Sequence, residues 1–243
     1  MRKGFVGLLG CGVLFGMGST LPAKAQVTAS GGGYLFRRKL DKGATFTYAM
    51  TAVTKSSGLP KMPQGPDMSN VKITTTVTMK VKEVTNKSAK LEITTSDILM
   101  NGNKVQDGRK AEEEMGERGQ RKAGAGTGQP GEEIEYPEKP IKVGDTIPIK
   151  LGALGEAKMR FVGFKPFKGK NAALWQMPLD SSMVKRPKND KNPVPSIKGS
   201  INTLISMEDG WPLSTTVNTD TSMQIDKGSQ KMTAKTTSTI IRQ

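Results

Sequence analysis

The residues able to do chemistry in this chain are few, and absence narrows them first. The 243 residues include no histidine and a single cysteine. That removes Ser-His-Asp and Cys-His nucleophilic units, imidazole metal sites, and any side chain that titrates near neutrality at its ordinary pKa. Paired carboxylates remain, because glycoside hydrolysis needs two of them and no histidine. The candidates are Glu208-Asp209, Glu112 to Glu114, and Glu132, Glu133 and Glu135. The first pair falls at a hairpin turn and the others in or beside a low-complexity stretch, so none stands on a rigid strand opposite an identifiable partner. Gly124-Ala125-Gly126-Thr127-Gly128 imitates a phosphate loop in composition only, since no strand leads into it and no helix follows. No calcium-loop spacing and no Cys or His cluster is present, so no metal and no cofactor is implied. The chain reads as a non-enzyme.

What is left is binding chemistry of two kinds. The chain carries 37 Lys+Arg against 22 Asp+Glu, a formal net charge of +15, and two loops concentrate it. Lys185, Arg186, Lys188 and Lys191 crowd a Pro-rich loop, and Lys165, Lys168 and Lys170 crowd a hairpin turn. Either cluster suits an anionic head group or an acidic envelope polymer, and either also suits plain solvation of a loop. Nucleic acid is not indicated, because few aromatics are interleaved for base stacking. The second kind is apolar. Met50, Met79, Met159, Met177, Met207, Met223 and Met232 fall in predicted strands beside Phe46, Phe161, Trp175 and Trp211. Methionine is flexible and polarizable, so such a face adapts to an irregular apolar ligand or fills gaps in a core. The candidate ligand-binding residues are Met79, Trp175, Met207, Trp211 and Leu213.

The elements that must position these residues are strands. Val71, Ile73, Thr75, Val77, Met79 and Val81 alternate with Lys72, Thr74, Thr76, Thr78, Lys80 and Lys82, the period of a half-buried strand with a Thr/Lys outer face. Ile197 to Met207 repeats the pattern, and Trp211 to Ile225 carries it back as the second arm of a hairpin. A two-residue Asp-Gly turn would place the two apolar sets on opposite faces. A three-residue loop with Gly210 left-handed pairs Met207 with Trp211 instead. It puts Met207, Ile205 and Ile201 on one surface with Trp211, Leu213 and Val217. Further strands are expected near 33–40, 44–54, 89–100, 145–151, 157–164, 171–179 and 231–241. Residues 106–133 contain no Val, Ile, Leu or Phe and read as a loop or disordered insert.

The N-terminus reads as an address. Arg2 and Lys3 precede an apolar run that closes on Ala23-Lys24-Ala25, the small-x-small pattern of a cleaved signal peptide over residues 1–25. The glycine-diluted run is short for a membrane span. Leu8-Leu9-Gly10-Cys11 also resembles a lipobox, so lipidation of Cys11 is the competing fate. Cleavage after Ala25 makes the protein periplasmic or extracellular and leaves residues 26–243 as a single β domain. It removes three basic residues and lowers the net charge to +12.

Lys42-Gly43-Ala44-Thr45 and Val143-Gly144-Asp145-Thr146 each bring a Gly-x-Thr turn before a strand. An internal pseudo-repeat and two similar turns are both compatible with that. Four segments carry a resemblance to a group of uncharacterised exported bacterial β proteins. They are Lys42 to Tyr48 (KGATFTY), the Thr/Met/Val/Lys strand at 71–84, Pro140 to Thr146 (PIKVGDT) and Asp209 to Leu213 (DGWPL). The resemblance spans Tyr34 to the C-terminus, rests on turn and strand chemistry, and implies no activity. In strand order the chain is loosely similar to the curved half-barrels of periplasmic lipoprotein carriers, which implies a concave sheet and an acyl ligand by analogy only.

The expectation is an all-β protein, an antiparallel half-barrel or sandwich of roughly ten strands. Its expected function is binding a hydrophobic or amphiphilic cell-envelope ligand, with a lipid or acyl chain as partner. The competing expectation is a structural or interaction protein docking on anionic polymers or partner proteins through a basic surface.

Overall fold

A computed structural model describes residues 26–58, 68–121, 134–150, 156–183, 195–225 and 230–243. The fold is all-β, with a large open antiparallel sheet and, among the described residues, one short 3-10 turn at Ser181–Met183. A small hairpin comes first, β1 (Val27–Ser30) and β2 (Gly33–Phe36). The chain then builds β3 (Thr45–Ser57), β4 (Asn70–Thr85), β5 (Ser88–Thr95), β6 (Ile98–Met100), β7 (Asn103–Gln106) and β8 (Arg109–Gly116). It ends with β9 (Thr146–Lys150), β10 (Glu156–Phe167), β11 (Lys170–Asp180), β12 (Ser196–Ser206), β13 (Pro212–Ile225) and β14 (Gln230–Arg242).

These twelve strands form one sheet that does not close. Its spine runs β9-β10-β11-β12-β13-β14-β3-β4. Beyond β4 the sheet splits: β5 and then β8 extend it at one end, while β6 and β7 extend it at the other. The seam between the two halves is the pairing of β14 with β3, with Arg242 opposite Tyr48 and Thr233 opposite Ser57.

Two features depart from the sequence expectation. Residues 109–116, expected inside a loop or disordered insert, are strand β8. Its inward positions are Ala111, Glu113 and Met115, opposite Ile93, Leu91 and Ala89, and none belongs to the branched or aromatic set that marks a strand. Glu113 is kept inside by Arg121 at 2.7 Å. A charge of this kind on an edge strand discourages pairing with another chain. Residues 122–133 of that stretch lie outside the described residues.

The β12–β13 turn also differs. The body of the hairpin has the expected register, Ile201 opposite Val217 and Thr203 opposite Thr215, and Gly210 has the expected positive φ of 70°. Four residues, Met207 to Gly210, separate Ser206 from Trp211, whose backbones are bonded, and Met207 instead donates to Asn171 O. A bulge then leaves Leu204 opposite Ser214 and Ile205 opposite Pro212. The extra residue turns Leu213 to the outer face beside Leu204 and Ala172.

Candidate functional site: the inner face of an open sheet

Alternation places one set of side chains on an inner face, and two cores form there. The larger lies over β9 to β12. Ile147, Ile149, Met159, Phe161, Trp175, Met177, Ile201 and Ile205 supply its floor. Val27 and Phe36 from the small hairpin, with Ile134, Tyr136 and Ile141 from the chain leading to β9, supply its roof. Backbone bonds between Tyr34 and Ile141 in both directions tie the two roof pieces together. The rings of Phe36, Phe161 and Trp175 meet at centroid distances of 5.2–5.3 Å, within the range of favourable aromatic pairs. The smaller core lies over β3, β4, β5 and β8 and holds Val77, Val81, Leu91, Ile93, Met115 and Trp211, the last stacked on Phe46 at 4.6 Å.

Residues 37–40 cross between the cores and clamp them. Arg38 N donates to Glu117 O, Lys39 N donates to Asp209 O, and Trp211 Nε1 donates to Lys39 O. Asp209 also accepts from Trp211 N and pairs with Arg242 at 2.9 Å. The Arg38 side chain is buried, its guanidinium 5.0 Å from the Trp211 ring and 6.0 Å from that of Tyr136. Burial lowers the pKa of this guanidinium from its ordinary value, and the ring faces compensate part of that desolvation. Burial likewise pushes the Tyr136 hydroxyl up to about 12, and this hydroxyl donates to Gly210 O.

The five candidate ligand-binding residues are not gathered on one surface. Trp175 and Met207 belong to the larger core, Met79 and Trp211 to the smaller, and Leu213 to the outer face. Trp175, Trp211 and Leu213 are buried, whereas Met79 and Met207 are partly buried at the core margins. The shared surface expected for Met207, Ile205, Ile201, Trp211, Leu213 and Val217 is divided by the turn and its bulge.

Between the cores, no described residue forms a second layer over the inner face. Ile73 lies opposite Ala52, Ala52 opposite Ser238, and Ser238 opposite Val217. One row further along, Thr54 opposes Thr236 with their hydroxyls 2.9 Å apart, and Thr236 opposes Thr219. On the other side Met50 opposes Ile240. Ile73 is 39% exposed, and Met50, Ala52, Thr54, Val217, Thr219, Thr236, Ser238 and Ile240 are half-buried. Met50 leans on the smaller core and Val217 on the larger. The strip is therefore a floor joining two packed regions, about 14 Å wide by strand spacing. Alternation alone could not reveal it, because what distinguishes it from core is the lack of a roof among the described residues.

Of the basic clusters, Lys185, Arg186, Lys188 and Lys191 lie outside the described residues. Lys165, Lys168 and Lys170 are exposed around the β10–β11 turn. Of the described carboxylate candidates, Asp209, Glu208, Glu135 and Glu113 have cationic neighbours, and Glu114 accepts from Ser88 Oγ at 3.0 Å. Asp209 holds Arg242, Glu208 lies 3.7 Å from Lys170, Glu135 pairs with Arg118 at 2.7 Å, and Glu113 with Arg121. Glu132 and Glu133 lie outside the described residues. Among the described residues no group of three or more His, Cys, Asp or Glu is placed to hold a metal ion.

No family model matches the chain and no curated protein does, consistent with the uncharacterised group it resembles. Among solved structures it is similar to one described as lipid–protein interactions in lipovitellin. The TM-score is 0.45 and the identity 10%, over 84% of this chain and 25% of that one. The likeness is slight, and the functional reading rests on the site itself.

Proposed function

We propose that this chain is an exported, non-enzymatic binding protein that takes a hydrophobic or amphiphilic cell-envelope ligand on the uncovered strip of its inner sheet face. The observation that carries the proposal is the strip itself. Apolar Ile73, Ala52, Val217, Met50 and Ile240 share one face with the hydroxyls of Thr54, Thr236, Thr219 and Ser238, partly exposed and continuous with two apolar cores. Covering such apolar surface is favourable in proportion to the area removed from water. The neighbouring hydroxyls suit a ligand with a polar portion, and a binding site of this mixed character orients as well as holds.

A long-chain fluorescent fatty acid tests the reading. Wild type should bind it. Ala52→Trp, which fills the strip, should weaken binding by about tenfold or more while leaving the unfolding midpoint unchanged. Wild type that binds no probe, or binding that Ala52→Trp and Ile73→Asp leave intact, overturns the assignment.

A further inference from the structure

A separate surface lies at the sheet margin. β9 pairs with β10 only from Glu156 to Arg160. From Val162 to Phe167, β10 has β11 on one side and, among the described residues, a free edge on the other. Gly144 N donates to Phe161 O, and Phe161 N donates to Asp145 O, which brings the chain before β9 alongside this edge, with Val143 near Val162. The described residues expose seven large apolar side chains, and three lie along this edge: Val143 at 54%, Val162 at 38% and Phe164 at 44%. Phe164, opposite Ala173, is on the inner face, and Val162, the bulge residue beside Gly163, leans to the outer one, so the two flank the edge from either side. Phe164 rests edge-on against Tyr34 at 4.7 Å. Lys142, Lys165, Lys168 and Lys170 are exposed around the patch, and Lys170 lies 3.7 Å from the Glu208 carboxylate.

A free strand edge with exposed apolar residues ordinarily invites another strand. This one is built against that. Gly163 sits in a bulge with φ of 140°, which twists the edge away from a flat register. Lys168 and Gly169, both with positive φ, make a two-residue hairpin turn, so Phe167 and Lys170 form its closing pair. Pro166 opposite Asn171 is then a non-hydrogen-bonded pair, and the ring nitrogen, which has no hydrogen to donate, faces the free edge. What remains attractive is apolar side chains ringed by lysines, and that combination requires no register.

We propose that the free edge of β10 and its hairpin tip dock on an anionic lipid bilayer, Val143, Val162 and Phe164 entering the interface and Lys142, Lys165, Lys168 and Lys170 meeting head groups. Apolar burial and charge act together at such surfaces, and the charge component is lost with salt.

Flotation with vesicles tests this, wild type and variants all carrying the same N-terminus. Wild type should float with phosphatidylglycerol-rich vesicles at low salt and much less with pure phosphatidylcholine. Val162→Ser with Phe164→Ser, and separately Lys165→Glu with Lys168→Glu and Lys170→Glu, should each reduce flotation by about tenfold with unfolding midpoints retained. Emission from Phe164→Trp should shift to the blue on vesicle binding, and the strip variant Ala52→Trp should float like wild type. Wild type that floats with neither vesicle, or equally with both, overturns the proposal, as does Phe164→Trp emission that stays unchanged in the bound state. Retention on an extended acidic peptide in place of vesicles would overturn it in favour of strand addition.

Discussion

The sheet over β9 to β12 and the sheet across β13, β14 and β3 have the same backbone, yet they carry different side chains on the same inner face. Under the roof formed by the small hairpin and residues 134–141, the inward positions are Phe161, Trp175, Met177, Ile201 and Ile205, all buried. Where the roof stops, the rows continue as Val217, Ser238 and Ala52, or as Thr219, Thr236 and Thr54. Strand pairing alone does not call for large apolar residues. A second layer does, because only there does burial return free energy in proportion to area. Threonine holds the uncovered strands by β propensity and by cross-strand hydroxyl bonds such as Thr54 to Thr236.

The contrast predicts a graded response to substitution. Trp175→Ala removes a wholly buried ring from the roofed region and should cost about 4 kcal/mol of unfolding free energy by denaturant titration. A cost under about 1 kcal/mol would mean the roof is not packed as described. Tyr136→Phe acts on the roof itself and should cost about 1 kcal/mol at neutral pH through the lost bond to Gly210 O. It should also change the alkaline limb. Folded, the hydroxyl keeps its proton up to about 12, against 10.0 for an ordinary tyrosine. The folded state therefore holds that proton more tightly, so wild-type stability is unaffected below pH 10 and falls as pH rises from there towards 12. Tyr136→Phe should lessen that fall. The smallest effect belongs to the uncovered strip, where Thr236→Val should stay within about 0.5 kcal/mol. A loss comparable to that of Trp175→Ala would show that the strip is core, and would remove the binding face with it.

Much of the fold was legible because alternation records which face is inward. Val71 to Val81 occupy β4, and Ile201 opposite Val217 is the register that the apolar sets of the β12–β13 hairpin require. Legibility failed where a single residue altered the rule. Glu113 put a carboxylate at an inward position and hid β8, since the compensating Arg121 stands on the next turn of chain and has no periodic signature. Leu213 changed face because a bulge carries no compositional mark. β1 has one buried inward residue, Val27, and so no pattern to detect. The site was less legible than the fold. Trp175 and Trp211, proposed from the sequence as ligand-binding residues, are buried, and whether such a residue lines a core or a cleft depends on residues 134–141 and 27–36 arriving over it, which is tertiary information.

The seam between β3 and β14 has a consequence for how the molecule is made. Tyr48 and Arg242 are neighbours in the sheet and nearly two hundred positions apart along the chain, and the roof residue Val27 is held by Met207. Neither contact can form until almost the whole polypeptide has been delivered. Long-range closures of this kind are slow, and β3 must wait through synthesis with one side unpaired. Premature self-association is the hazard of waiting, and Lys55, exposed on β3, together with the lysine-bearing outer positions of β4, stands guard over the unpaired strands until β14 arrives.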